Sequence, residues 1–137
     1  MEIDDVNYAI NGAVFEVNKI LGPGFLEKVY ENAMLVELSK RGIKAESQVP
    51  INVSYKDQQV GEYVADLFIE DKVIGEMKTV NQLEKIHEAQ LLNYLKAKDI
   101  EVGLLLNYGP KPEIKRKFMD NYKKSTEYFC GVEKPWG

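Results

Sequence analysis

Residues 64–80, VADLFIEDKVIGEMKTV, form the segment that decides the fold. Two stretches rich in β-branched and apolar residues flank a polar triplet, a pattern that is typical of a β-hairpin. A loop of three residues pairs Ile69 with Val73, and counting back along both strands sets Asp66 directly opposite Glu76. Because opposed residues of an antiparallel pair project to the same face, the sequence predicts two neighbouring carboxylates in one sheet.

A third charge belongs to this face. Lys78 lies two residues beyond Glu76 on the same strand and therefore projects in the same direction. The hairpin is otherwise mostly apolar on both faces, so we expect helices to cover both sides of the sheet. Two carboxylates this close repel each other unless a cation or a proton intervenes. Lys78 as a structural salt bridge and a hard divalent ion such as Mg²⁺ both satisfy that need.

The rest of the chain predicts a small mixed α/β fold around this hairpin. The order α-α-β-β-β-α-β-α indicates a central mixed sheet with helices on both faces. We expect one domain over residues 1–137, with its core at about 8–122 and a tail at 123–137. The predicted helices cover about 4–21, 25–41, 83–98 and, as a closing basic helix, 113–122, and the predicted strands cover about 45–55, 62–69, 73–80 and 102–107.

The second predicted helix carries a candidate carboxylate. This helix is apolar over most of its circumference, and Glu27 lies within the apolar arc, where an ionised side chain is costly without a partner. The alternative is a first-turn glutamate that the helix dipole stabilises. Glu31 lies one turn further on, at the edge of the arc, and we expect it to face solvent.

The third predicted helix places three polar side chains on one arc. His87, Gln90 and Tyr94 share this arc with apolar neighbours. A buried amide needs hydrogen-bond partners, so Gln90 must reach another polar group. A lone histidine on such a face is more typical of a core residue than of a metal ligand, and Tyr94 by itself also fits a core position.

The overall charge gives no reason to expect nucleic-acid binding, but its distribution does. The 137 residues carry a formal net charge of −4. Between residues 110 and 124, however, basic residues outnumber acidic residues by six to two. A basic helix here would track phosphates, although a solvated helix face is the more common reason for such a run. The candidate phosphate contacts are Lys111, Lys115, Arg116 and Lys117.

Composition narrows the class of protein further. The single cysteine, Cys130, excludes an intrachain disulfide and a multi-cysteine zinc site. No stretch reaches the roughly 18 consecutive apolar residues that a membrane span requires, so no membrane partner is expected. The acidic N-terminus lacks a hydrophobic signal region, which favours a cytoplasmic location.

Four motifs, taken together and in order, carry a family resemblance. They are GFLEKVY at 24–30, which is a Gly-x-x-Glu-x-x-Tyr motif, GEYVAD at 61–66, EMK at 76–78 and HEAQLLNY at 87–94. With them the chain resembles the small prokaryotic GxxExxY proteins of the PD-(D/E)XK nuclease-like superfamily, over about residues 8–120. The resemblance implies a restriction-endonuclease-like core.

The same resemblance implies a set of site residues. Asp66, Glu76 and the main-chain carbonyl of Met77 would hold Mg²⁺ or Mn²⁺. Lys78 would orient the attacking water and help to deprotonate it. The resemblance implies further site residues with supporting roles. Glu27 would complete the acidic cluster, and Gln90 would line the site. The accessory residues would be Tyr30, His87 and Tyr94.

The expected function is therefore a Mg²⁺-dependent nuclease, with DNA preferred over RNA as substrate. A homodimer or an unidentified protein partner would supply additional binding surface. The alternative is a catalytically inactive nuclease-fold module that binds a protein or a nucleic acid, because folds of this kind host more than one function. Ala65 replaces the proline of the superfamily name and Gly75 replaces a bulky apolar residue, but neither change removes a catalytic group.

Overall fold

A computed structural model describes residues 1–119 of the chain. The predicted tail at 123–137, with Cys130, lies outside the described residues. The elements are, in chain order, α1 Ile3–Leu21, α2 Glu27–Lys40, β1 Ala45–Tyr55, β2 Gln58–Ile69, β3 Val73–Lys78, α3 Lys85–Lys98, β4 Val102–Tyr108 and β5 Pro112–Phe118.

The strands form one mixed sheet, as predicted, but the sheet has five strands instead of the predicted four. Their order in the sheet is β1-β2-β3-β4-β5. β3 and β4 run parallel, and the other three neighbouring pairs are antiparallel. Helix α3 lies between β3 and β4 in the chain and makes the crossover that a parallel pair requires. The carboxyl end of β3 therefore meets the carboxyl end of β4 at one edge of the sheet.

Helices cover both faces of this sheet. Helices α1 and α2 pack on one face, where Ile10, Met34 and Leu67 belong to the larger hydrophobic cluster. Helix α3 packs on the other face, where Leu91 and Leu95 belong to the second cluster. Every residue of β4 is buried, because this strand has a helix layer on each side. Within residues 1–119, no helix has the combination of length and apolar character that crossing a membrane demands.

The prediction of a basic helix at 113–122 is wrong. Residues 112–118 form strand β5, which pairs with β4 from Pro112 opposite Tyr108 to Phe118 opposite Val102. Ile114 packs against the cluster beneath α1, and its neighbours in the strand are more exposed. The lysines and arginine of this segment suit a helix, but pairing with the otherwise open edge of β4 outweighs that local preference. The predicted residues beyond 119 lie outside the described part of the chain.

Candidate active site

The predicted hairpin register is confirmed. Ile69 pairs with Val73, and the main-chain pairing of β2 with β3 continues as far as Leu67 and Gly75. Beyond this point β2 remains paired with β1, and β3 remains paired with β4. The sheet therefore opens into a fork between β2 and β3, which is where the predicted acidic pair lies.

Two carboxylates bridge this fork by binding each other's strand. The Asp66 N–H donates to Glu76 Oε2 at 3.0 Å. In return, the Met77 N–H donates to Asp66 Oδ2 at 2.8 Å. One oxygen of each side chain thus accepts a hydrogen bond from the opposite strand. These two bonds fix the carboxylates side by side, as the sequence predicts.

Burial makes this pair reluctant to carry two negative charges. Glu76 is 6% exposed. Burial, reinforced by the negative charge of Asp66, raises the pKa of Glu76 to about 8. Burial also raises the pKa of Asp66. The positive charge of Lys78 opposes both shifts but does not cancel them.

Lys78 does not close the pair as a salt bridge. Among residues 1–119, no ion pair within 4.0 Å joins its ammonium to Asp66 or Glu76. At neutral pH a further cation would therefore favour full ionisation of the pair. Of the two interpretations left open by the sequence, the geometry favours the divalent ion.

The buried third carboxylate is Glu31 rather than Glu27. Glu27 is exposed at the first position of α2, whereas Glu31 is 4% exposed. Lys28 Nζ lies 3.0 Å from one Glu31 oxygen, and Gln48 Nε2 donates to both oxygens at 3.1 Å. The same amide reaches Asp66 Oδ1 at 3.5 Å. The expectation that Glu31 faces solvent is wrong, because a helical projection does not show that β1 passes beside this face.

Gln48 is a site residue that the sequence analysis missed. The pairing of β1 with β2 skips Gln48 and Asp66, and Gln48 adopts a positive φ of 55°. This conformation is unusual for a residue other than glycine, and it marks a local distortion of the strand next to the acidic pair. No sequence signal identifies it, since glutamine has no preference for positive φ. Glu27 acts on the site at longer range, where its charge helps to raise the pKa of Glu76.

Two tyrosines in ring contact, Tyr94 of α3 and Tyr63 of β2, form an aromatic wall on the α3 side of the sheet. Gln90 Nε2 donates to the Tyr94 hydroxyl at 3.1 Å, so the predicted amide has its partner. Burial raises the pKa of Tyr94, and the charges of Glu76 and Asp66 contribute to this shift. The ring of Tyr94 also contacts Tyr63, with 5.4 Å between the ring centroids.

The other two accessory residues make structural contacts. His87 Nδ1 accepts the N–H of Glu84 at 3.0 Å and so caps the start of α3. The Tyr30 hydroxyl donates to the carbonyl of Gly22 at 2.6 Å, which ties α2 to the preceding loop. The Tyr30 ring stacks on Tyr108 at a centroid distance of 4.3 Å. Both residues therefore support the elements that carry the site.

The candidate phosphate contacts do not form one surface. Lys115 and Lys117 form ion pairs with Glu88 of α3 at 3.3 and 3.0 Å. Arg116 projects to the opposite face, as alternation along a strand requires, and lies 3.7 Å from a carboxylate of α1. Lys111 is exposed in the turn before β5. Because the segment is a strand and not a helix, its basic side chains do not lie together on one face.

Asn107 fixes the segment that follows Lys78. This side chain is 1% exposed and lies on β4. Its Oδ1 accepts the N–H of Val80 at 2.9 Å, and its Nδ2 donates to the carbonyl of Val80 at 2.9 Å. The amide therefore extends the pairing of β3 with β4 beyond the end of the β3 strand, and it holds the chain close to Lys78.

Replacing Asn107 by alanine is expected to lower the free energy of unfolding by about 2 kcal/mol, because the N–H and the carbonyl of Val80, both partly buried, lose their partner. Urea unfolding followed by circular dichroism measures this loss. Asn93→Ala, at an exposed position of α3, is the matched control and should change stability little. Equal stability of the two variants would contradict the assigned role of Asn107.

The donor set fits a hard divalent cation. No group of three or more His, Cys, Asp or Glu side chains comes together in ligating geometry among residues 1–119. Two carboxylates and a main-chain carbonyl nevertheless suit Mg²⁺, which is usually bound by one or two carboxylates and keeps several waters. Asp66 and Glu76 would supply the carboxylates, and Met77 would supply the carbonyl. Within the described residues 1–119 no side-chain cation forms an ion pair with Asp66 or Glu76, which agrees with this assignment.

Comparison with known proteins identifies the family. A family model of the PD-(D/E)XK nuclease superfamily matches residues 4–117, which include nearly all of the described elements. The chain belongs to the PD-(D/E)XK nuclease superfamily. PD-(D/E)XK nucleases generally use divalent metal ions, in agreement with the donor set at the fork. The match is to the superfamily, so membership of the GxxExxY group stays a prediction.

A solved structure has a similar fold. The crystal structure of SSO0001 is similar to this chain with a TM-score of 0.54 and 19% sequence identity. The similarity covers 72% of this chain and 54% of that one, so this chain spans about half the length of the solved protein. At this identity the likeness concerns the fold alone. No curated protein matches the sequence.

Proposed function

We propose that the chain is a metal-dependent nuclease of the GxxExxY group that hydrolyses phosphodiester bonds of DNA with Mg²⁺ or Mn²⁺. The observation that carries the proposal is the pair of reciprocal bonds by which Asp66 and Glu76 hold each other's strand at the fork. A structural role alone would not require a buried and a half-buried carboxylate side by side without an ion-paired cation. A metal site does require them.

Asp66 and Glu76 hold the cation, together with the Met77 carbonyl. One oxygen of each carboxylate is already fixed to the main chain, so the side chains need no rearrangement when the cation binds. Gln48 connects this site to Glu31, because its amide bonds Glu31 and reaches Asp66. This contact limits the rotation of Asp66.

Lys78, Gln90 and Glu27 complete the proposed site. Hydrolysis joins a water oxygen to phosphorus and breaks one P–O ester bond, and the leaving oxygen takes up a proton. Lys78 orients the water and stabilises the charge that develops on the phosphate. Gln90 lines the site beside Tyr94, and Glu27 lies at its outer edge. A divalent ion bound here offsets negative charge on the phosphate and on the attacking and leaving oxygens.

Replacing Asp66 by asparagine is expected to abolish both Mg²⁺ binding and cleavage while the fold is retained, since the asparagine carbonyl can still accept the Met77 N–H. Isothermal titration with Mg²⁺ and with Mn²⁺ measures binding. Cleavage is measured on end-labelled single-stranded DNA, duplex DNA and RNA, with each metal and with EDTA. We expect a loss of at least about 10³-fold in rate, which corresponds to about 4 kcal/mol of lost stabilisation.

Asp57→Asn, in the exposed turn between β1 and β2, is the matched control and should bind and cleave like the wild type. Equal cleavage by Asp66→Asn and Asp57→Asn would refute the site. A folded wild-type protein that binds nucleic acid but cleaves none of the substrates with either metal would support the inactive binding module instead.

A further inference from the structure

Tyr63 presents an exposed aromatic ring beside the candidate site. It lies on β2 and is 49% exposed, although its ring contacts Tyr94. Tyr94 in turn packs in one hydrophobic cluster with Ala65, the chain neighbour of Asp66, and the charges of Glu76 and Asp66 both help to raise the pKa of its hydroxyl. Among the exposed aromatic side chains of residues 1–119, only Tyr63 has a ring contact with Tyr94.

The separation of Tyr63 from the acidic pair suits a nucleotide. Asp66 lies three positions beyond Tyr63 on the same strand, which amounts to about 10 Å along β2. A strand whose phosphate lies at the carboxylates can therefore bring a neighbouring base onto the Tyr63 ring. Tyr94 contacts the Tyr63 ring and accepts a hydrogen bond from Gln90, so both side chains can line the path.

The acidic net charge of the chain means that stacking on Tyr63 would add to the affinity for nucleic acid. The protein is acidic overall, and Lys115 and Lys117 of the basic segment are engaged with Glu88. Binding that depends on phosphate charge is therefore weak, because it requires free cations along the backbone path. Stacking of a base on an aromatic ring needs no charge, but it does need a base that is not already paired and stacked within a duplex.

Building on the proposed nuclease function, we propose that Tyr63 is a stacking platform for an unpaired base and that the substrate is single-stranded nucleic acid. The ring holds a base next to the phosphate that the acidic pair receives. Tyr94 supports the platform from behind, and Gln90 holds the Tyr94 hydroxyl. An unpaired flap can use the platform directly, whereas a duplex end can use it only after its terminal bases separate.

The test measures binding separately from cleavage. Fluorescence anisotropy reports the dissociation constants of labelled single-stranded DNA, a duplex of the same sequence and a fully abasic strand of the same length. All proteins carry Lys78→Met, so that the nucleic acid persists during the measurement. We expect tighter binding of the single strand than of the duplex. Adding Tyr63→Leu should weaken single-strand binding about tenfold.

Three controls sharpen this result. Tyr63→Phe keeps the ring and should stay within about twofold of the parent protein. Tyr55→Leu removes a ring of β1 that is 62% exposed, and it should leave the affinity for the single strand unchanged. The abasic strand should bind equally to the parent and to Tyr63→Leu, because it offers no base to stack. A thermal melt verifies that each variant is folded.

Two outcomes would overturn the platform. One is an unchanged single-strand affinity in folded Tyr63→Leu, and the other is an equal loss for the abasic strand. Neither outcome affects the nuclease proposal. If that proposal holds, the protein that keeps Lys78 still cleaves nucleic acid in a metal-dependent way. Tyr63-dependent binding without any cleavage by that protein would instead support the platform and reject the nuclease proposal.

Discussion

Replacing Glu76 by glutamine is expected to raise the free energy of unfolding of the metal-free protein by roughly 3 kcal/mol at pH 7. The wild-type protein keeps this carboxyl protonated up to a pKa of about 8, whereas the unfolded chain releases the proton near the ordinary value of 4.5. Holding the proton, or forcing the buried charge, costs the native state free energy. Glutamine removes that cost and can still accept the Asp66 N–H through its carbonyl oxygen.

The sign of the pH dependence follows from the raised pKa of Glu76. Between pH 4.5 and 8 the unfolded chain binds fewer protons at this position than the native protein does, so wild-type stability falls as the pH rises and levels off above 8. Asp66, whose pKa is also raised, adds a loss of the same sign. Glu88, whose pKa its lysine partners lower, acts oppositely and gives stability that is lost on acidification.

Urea unfolding in EDTA from pH 5 to pH 9 measures the effect of Glu76. The difference between Glu76→Gln and wild type should be small at pH 5 and should grow to a plateau above pH 8. Glu62→Gln, at an exposed position of β2, is the matched control and should run parallel to wild type. Parallel curves for Glu76→Gln as well would contradict the raised pKa. Adding Mg²⁺ should stabilise wild type more than Glu76→Gln.

Replacing Lys78 by methionine is expected to lower kcat by about 10³-fold and to leave Mg²⁺ binding as tight as in wild type, or tighter. Lys78 ends β3 and projects to the same side as Glu76, two residues earlier. Its charge reaches both carboxyls without ion-pairing to them, so its ammonium is available to substrate. Methionine keeps the apolar stem and removes only the charge and the hydrogen-bond donors.

The comparison with Asp66→Asn separates the two roles. Asp66→Asn should lose the metal and the activity together, whereas Lys78→Met should lose activity alone. Single-turnover cleavage at saturating Mg²⁺ gives the rate, and isothermal titration gives the metal affinity. Lys72→Met, in the exposed turn between β2 and β3, should match wild type in both. A wild-type rate for Lys78→Met, or a large loss of its metal affinity, would reject the proposed role.

The sequence predicts the site where the determining interactions are local. The opposition of Asp66 and Glu76 depends on a three-residue loop and on alternation along two adjacent strands, and both are visible in the sequence. Glu31 and Gln48 could not be identified in this way. Their contact depends on how α2 packs beside β1 and on a positive φ at Gln48, and neither follows from local pattern.

The misassigned closing element has a similar cause. Residues 112–118 are rich in lysine and arginine, which are compatible with a helix, and only one apolar residue, Ile114, contributes to the core beneath α1. What makes this segment a strand is its partner, β4, whose second edge would otherwise lack main-chain hydrogen bonds. That need belongs to the assembled sheet rather than to the segment.

The order of the strands in the sheet has a consequence for how the chain folds. Because this order is also the order in the chain, β1-β2, β2-β3 and β4-β5 are all hairpins that close over short loops. Only the pairing of β3 with β4 must span a long connection, which contains α3. Loop closure is the entropic barrier that slows folding, so docking of the β4-β5 hairpin onto β3 is the expected slow step. The hairpin that carries Asp66 and Glu76 can form before it.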